Sequence, residues 1–189
     1  MRLASLGVTD FGESYDQEAV AKARALAAAG IAVRWHFVGR LQRNKCRSVS
    51  SYADVVQSVD RPELADALAA GAAAAQRRLE VLIQVALEPG GAPQGRGGCA
   101  PADVAALAGH LVGLDLVELR GVMAVAPAGA PSRAAFAGLR RVAAELLIEH
   151  PGATVVSAGM SGDLEDAVAE GATHVRVGTA LFGDRPAGG

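Results

Sequence analysis

The stretch VVSAGMSGDLEDAVAEGATHVRVGTALFG, Val155–Gly183, sets two short apolar runs on either side of one helix-like segment and ends each run in small polar residues. Both runs are rich in valine and too short to be helices, so each reads as a strand. Between them Leu164, Ala167 and Val168 recur at helical spacing and are taken to face inward. Gly171 stands where a left-handed helix C-cap belongs. Strand, helix and strand with short links make a βαβ unit, and such units predict a parallel sheet.

The same alternation extends toward the N-terminus. Strand candidates are DFGES (10–14), VRWHFVG (33–39), DVVQSV (54–59), EVLIQVAL (80–87), VELRGVMAVA (117–126), ATVVSAG (153–159) and THVRVGT (173–179), seven in all. Their near-continuous hydrophobicity suits strands covered by helices. Asp60, with Pro62 and Glu63 after it, predicts one helix start. Ser132 predicts another, whose Phe136, Leu139, Ala143, Leu146 and Leu147 repeat at helical spacing until His150–Gly152 ends it. Gly30 predicts a further helix end. Two architectures satisfy this pattern, an open doubly wound sheet and a closed (β/α) barrel. No GxGxxG follows the first strand, and the glycine-rich run Gly90–Gly98 lacks the Gly-Lys-Ser/Thr of a P-loop. That run reads as a loop and a candidate cover for a site.

Composition narrows the function classes. The 189 residues are 51% hydrophobic with a net charge of −2, which suits one globular domain and leaves no basic footprint for nucleic acid or a lipid surface. Cys46 and Cys99 form no CxxC pair and have no histidine at metal spacing, so each reads as a free thiol in a reducing, cytoplasmic setting. No window is long and apolar enough to predict a membrane span, and MRLASLGVTDFGE has no signal-peptide core.

In a (β/α) barrel the ligand lies at the C-terminal ends of the strands, commonly with a phosphate held by the loops after the last two. Ser161, following the run that ends at Ser157, would present its hydroxyl and nearby N–H groups there. Gly178 would allow close approach and Thr179 would add a donor. The plainer alternative is that Ser161 and Gly162 cap a helix and Gly178 makes a turn. Arg176 weighs against it, because a guanidinium inside an apolar strand is costly unless paired. An acidic or ring-nitrogen partner is expected.

Four motifs, WHFVGRLQRNK (Trp35–Lys45), FGESYDQE (Phe11–Glu18), LRGVMAVAP (Leu119–Pro127) and the stretch from Ser157 to Gly183, resemble in sequence and order the pyridoxal phosphate homeostasis proteins. These are single-domain relatives of the N-terminal barrel of alanine racemase. The resemblance implies an α/β fold of TIM-type (β/α)8 barrel class, one domain over residues 1–189, binding pyridoxal 5'-phosphate (PLP). It implies that Ser161, Gly178 and Thr179 hold the phosphate, that Arg176 approaches the pyridine nitrogen, and that Ser14, His36 and Ser157 complete the cofactor-binding set. His36 points into the pocket on the family's third strand, or is a buried structural histidine. His110, His150 and His174 are expected to be structural.

Two departures bear on that set. Ser14 stands where the family has Asn, a longer side chain. The family's Schiff-base lysine lies on a first strand, in a pattern like AVSKT, and this sequence begins after it. The expectation is a barrel lacking its first strand and most of its first helix, with two unpaired edges. Lys22 and Lys45 are expected to be surface charges, so PLP would be held noncovalently. The implied function is carriage or buffering of PLP without catalysis, with apo forms of PLP-dependent enzymes as candidate recipients. The competing readings are a truncated barrel serving as an interaction module and, less favoured, a PLP-dependent racemase.

Overall fold

A computed structural model describes residues 2–88 and 97–183. Six strands, β1 (Asp10–Glu13), β2 (Arg34–Phe37), β3 (Val55–Val59), β4 (Leu79–Gln84), β5 (Val117–Met123) and β6 (Val155–Ser157), form one sheet in chain order. All five pairings are parallel. A doubly wound sheet reverses its strand order partway, and this one does not, so the barrel alternative holds. The sheet is strongly curled. In a flat sheet β3 and β6, three strands apart, would lie roughly 14 Å from each other, yet Ser157 on β6 donates a 2.7 Å hydrogen bond to Gln57 on β3.

Helices α1 (Arg2–Ser5), α2 (Asp16–Ala28), α3 (Cys46–Tyr52) and α4 (Pro62–Ala75) alternate with the first strands. They are followed by α5 (Val104–Val112), α6 (Ser132–Glu149), α7 (Leu164–Ala169) and α8 (Thr179–Phe182). Alternation along each strand sorts the side chains into two layers. Val56, Val81, Ile83 and Val122 face outward into a core shared with Leu64 and Leu68 of α4, Leu107 and Leu111 of α5, and Phe136, Leu139 and Leu146 of α6. Val55, Leu82 and Met123 face inward, with Val155 packed on them. The interior is thus partly apolar and partly lined by His36, Gln57 and Ser157, all buried.

Two bulges interrupt this alternation. On β3, Val56 opposes Val81 but Val59 opposes Ile83. On β5, Leu119 opposes Val81 and Gly121 opposes Leu82, so Arg120 is the extra residue. Leu119 and Val122, three apart, consequently share the outer face. Gly121 takes φ +147°, and a Cβ there would lie 1.9 Å from the Val155 carbonyl oxygen.

Several expectations need correction. Residues 173–179 are not a full strand: one bridge, Ser157 to His174, joins them to β6. Backbone bonds from Ala158 N to His174 O and from Arg176 N to Gly159 O continue the parallel path at 3.0 and 2.9 Å. With Val175 and Val177 exposed, the run has no face to bury and no second neighbour among the described residues to make it regular. Asp60 does not cap α4. Arg61 holds that position, while Asp60 pairs with Arg61 and accepts from Gly98 N at 3.2 Å. Ser132 is the first residue of α6, behind Pro131, and its hydroxyl meets Asp166. Val168 of α7 and Leu147 of α6 are exposed rather than inward. Gly30 and Gly171 do take positive φ at helix ends. Of the glycine-rich run, residues 90–96 lie outside the described residues. Gly97 accepts from Gln84 Nε2 at 2.8 Å, fastening that end of the run to β4.

Cys46 and Cys99 are free and buried. Burial pushes both thiols from the ordinary 9.0 up to about 11. Thiolate at pH 8 is therefore reduced roughly a hundredfold. Neither cysteine should react with iodoacetamide at pH 8 until denaturant is added, and mass spectrometry of alkylated protein checks this. The folded state holds these protons more tightly than the unfolded chain, so their contribution to stability is complete below pH 9 and lost as pH rises from about 9 to about 11. Urea midpoints should fall across that window.

Candidate functional site

A run of hydrogen bonds, buried at His36, Gln57 and Ser157, crosses the interior. Arg176 Nη1 donates to Ser157 Oγ at 2.8 Å, and Ser157 Oγ donates to Gln57 Oε1 at 2.7 Å. Gln57 Nε2 lies 2.9 Å from His36 Nδ1, and His36 Nε2 lies 3.0 Å from Asp10 Oδ1. An amide nitrogen can only donate, so Nδ1 accepts and the imidazole proton sits on Nε2, directed at the Asp10 carboxylate. Every donor points the same way, from a cation on one side of the barrel to a carboxylate on the other. For Asp10, burial works upward, but hydrogen bonds from Thr9 and His36, with the charge of Arg34, outweigh it and hold the carboxyl below its ordinary value.

Of the two partners expected for Arg176, acidic or ring-nitrogen, no carboxylate bonds to it among the described residues. Besides Ser157, its Nη2 donates to the Ala124 carbonyl at 2.9 Å. Burial draws its pKa down, and the charge of Asp163 acts in the opposite direction. Two neutral acceptors hold one edge of the guanidinium, and among the described residues no other acceptor bonds to its remaining N–H groups.

The expected phosphate residues come together from two segments, the β6–α7 turn and the start of α8. Ala180 N donates to Ser161 Oγ at 3.1 Å, which joins the β6–α7 turn to the start of α8. Gly178 is the residue preceding α8, and Thr179 is its first. Asp163 Oδ1 takes Met160 N at 2.6 Å and closes the turn from inside. A Cβ at either Gly162 or Gly178 would meet nothing within 4 Å, so the space over both is open. That open space lies beside the Ser161 and Thr179 hydroxyls, and the small cavity at Ser161 is lined as well by Asp163, Glu165 and Asp166.

Ser14 lies apart from this group. It lines a cavity of about 730 Å³ with Gln17, Arg40, Gln42, Lys45 and Arg61 at the C-terminal ends of β1 and β2. Gly39 makes that corner possible, since a Cβ on it would lie 2.1 Å from Ser14 O. Ser161 lines a second cavity of about 190 Å³ with Gly162 and Asp163. The structure thus brings His36, Ser157 and Arg176 into one network and Ser161, Gly178 and Thr179 into one group, with Ser14 in a neighbouring cavity. Lys22 is half exposed and pairs with Glu13 at 2.6 Å and Glu18 at 3.5 Å, whereas Lys45 is partly buried at the Ser14 cavity. His174, expected to be structural only, brings its ring centroid within 6.4 Å of that of His36. Asp10, Gln57 and the Ala124 carbonyl were not anticipated. The signal for Gln57 was a lone amide inside the valine run DVVQSV.

Comparison with known proteins places this geometry. The family model described as alanine racemase, N-terminal domain, matches residues 1–186. The pyridoxal phosphate homeostasis protein of Pseudomonas aeruginosa is 41% identical over 96% of this chain and 77% of its own length. That of Mycobacterium tuberculosis is 40% identical over 97% and 76%. The solved structure of PipY from Synechococcus elongatus with PLP bound is 40% identical, with a TM-score of 0.84 over 95% of this chain and 84% of that one. An alanine racemase of Clostridium difficile shares the fold at 16% identity and TM-score 0.71, and this chain spans 49% of it.

Proposed function

Since the chain belongs to the alanine racemase N-terminal domain family, and within it to the pyridoxal phosphate homeostasis proteins, we propose that it binds PLP at the barrel mouth and carries or buffers the cofactor without turning over a substrate. The observation that carries this reading is the pairing of Arg176, anchored on one edge by Ser157 and Ala124, with the open space beside Ser161, Gly178 and Thr179. When bound, PLP supplies an aldehyde for amines and a pyridine ring that can accept electrons.

The β6–α7 turn and the start of α8 would hold the phosphate through the Ser161 and Thr179 hydroxyls and the backbone N–H groups beside them. Arg176 would donate to the ring nitrogen. A guanidinium cannot accept a proton there, so it keeps that nitrogen unprotonated and weakens the ring as an electron sink, which favours carriage over catalysis. His36, locked by Gln57 and Asp10, would form part of the wall beneath the ring, and Ser14 would contribute from its neighbouring cavity. Apo forms of PLP-dependent enzymes in the cytoplasm are the recipients this reading implies, and two unpaired thiols suit that compartment.

Gel filtration with PLP tests the proposal. The protein should retain PLP but not pyridoxal, which lacks the phosphate, and borohydride treatment should leave no added mass. Absence of PLP binding would favour the interaction-module reading, and turnover of alanine enantiomers would favour a racemase.

A further inference from the structure

Gln57 is the link between the two halves of the barrel interior. It is 3% exposed and uses both ends of its amide, Oε1 accepting from Ser157 and Nε2 donating to His36. Its neighbours on the inner face, Val55, Leu82 and Met123, offer no polar partner. A buried amide in such surroundings is costly unless both ends are satisfied. The two bonds also determine each other's direction. If the amide turned over, its nitrogen would face a Ser157 oxygen that already accepts from Arg176, leaving the hydroxyl proton to find another acceptor. Its oxygen would face a His36 nitrogen that carries no proton.

We infer that Gln57 is a positioning residue: through Ser157 it sets the orientation of the Arg176 guanidinium, and together with Asp10 on the other ring nitrogen it keeps the imidazole proton of His36 on Nε2. The inference rests on the PLP-binding reading for its consequence in the cofactor site, but the arrangement of protons belongs to the free protein. With Gln57 in place, the Ser157 hydroxyl proton is committed to Oε1, so a lone pair is directed at Arg176 Nη1. Arg176 is thereby held between two fixed acceptors, Ser157 Oγ and Ala124 O. Without Gln57, the hydroxyl is free to rotate and one of those acceptors loses its direction.

Two substitutions separate the arms. Gln57→Leu removes both. Gln57→Glu keeps an acceptor for Ser157 but cannot donate to His36 Nδ1, so the imidazole should take a second proton between two carboxylates. In nitrogen NMR of the free protein, wild type should show His36 as the Nε2–H tautomer, with Nδ1 accepting from Gln57. Gln57→Glu should show both ring nitrogens protonated, whereas Gln57→Leu, where Asp10 still accepts from Nε2, should keep the Nε2–H tautomer with the Nδ1 signal shifted by loss of its hydrogen bond. PLP affinity should fall about tenfold in Gln57→Leu, the loss expected of one directed hydrogen bond to a charged group. It should fall less in Gln57→Glu, where the Ser157 arm persists.

If wild type holds PLP and a folded Gln57→Leu holds it equally tightly, the positioning role is overturned while the PLP reading stands. If Gln57→Leu does not fold, Gln57→Glu decides: an unchanged Nε2–H tautomer signal would overturn the inference. If wild type fails to bind PLP, the earlier reading fails, and the His36 signals still test the role of Gln57.

Discussion

Replacing Gly121 by alanine is expected to unfold or severely destabilise the protein, by more than the roughly 2–5 kcal/mol that truncating a buried leucine costs. The new Cβ would lie 1.9 Å from the Val155 carbonyl oxygen and 2.8 Å from Val155 N, backbone atoms that cannot rotate aside. The φ of +147° is itself one that only glycine adopts without strain. Relief would require β6 to move away from β5, breaking the pairings of Gly121 with Val155 and Met123 with Ser157. Ser157 would move with it, so any surviving folded fraction should also lose its hold on Arg176. Urea denaturation followed by circular dichroism checks the stability. By contrast Gly109→Ala, on α5 where a Cβ meets nothing within 4 Å, should be neutral or mildly stabilising.

Arg176→Met is expected to abolish retention of PLP, with affinity lowered at least about a hundredfold by loss of the charged hydrogen bonds at the ring nitrogen. Stability should respond far less. The two bonds to Ser157 and Ala124 vanish, but so does the cost of holding a charge where burial already draws down its pKa. Melting should shift by only a few degrees. Arg176→Lys is a demanding control, because an ammonium keeps the charge without the planar fork that reaches both acceptors. It should restore little of the affinity. Equal PLP binding by wild type and Arg176→Met, measured by equilibrium dialysis, would remove Arg176 from the site.

Period and punctuation made most of the fold legible. Five of the six strands fall inside the segments marked as strand candidates and β4 starts one residue before its own, while the starts of α4 and α6 lie at Pro62 and Ser132. The doubly wound alternative survived the pattern alone because helix and strand spacing carry no information about strand order. Residues 173–179 misled for a related reason: their alternation fits a strand, but regular pairing needs partners that the run does not itself specify. The β5 bulge had a readable sign in a glycine inside an apolar strand, whereas the β3 bulge had none.

The site was legible residue by residue but not in its wiring. The buried cost of Arg176 correctly called for partners, expected to be acidic or a ring nitrogen. A carbonyl and a hydroxyl suffice because they lie side by side at the ends of the paired strands β5 and β6. Gln57 and Ser157 are separated by 100 residues, a distance at which no sequence pattern operates.

The order of strands has a consequence for how the molecule assembles. Each strand pairs with the one before it in the chain, so every pairing closes a short loop and can form as soon as the next segment leaves the ribosome. The bond between Gln57 and Ser157 is of another kind, since it cannot form until β4 and β5 are in place and the sheet has bent. Arg176 gains its oriented acceptor only at that moment. The capacity to hold a ligand should therefore appear late and abruptly in refolding, after most secondary structure has returned.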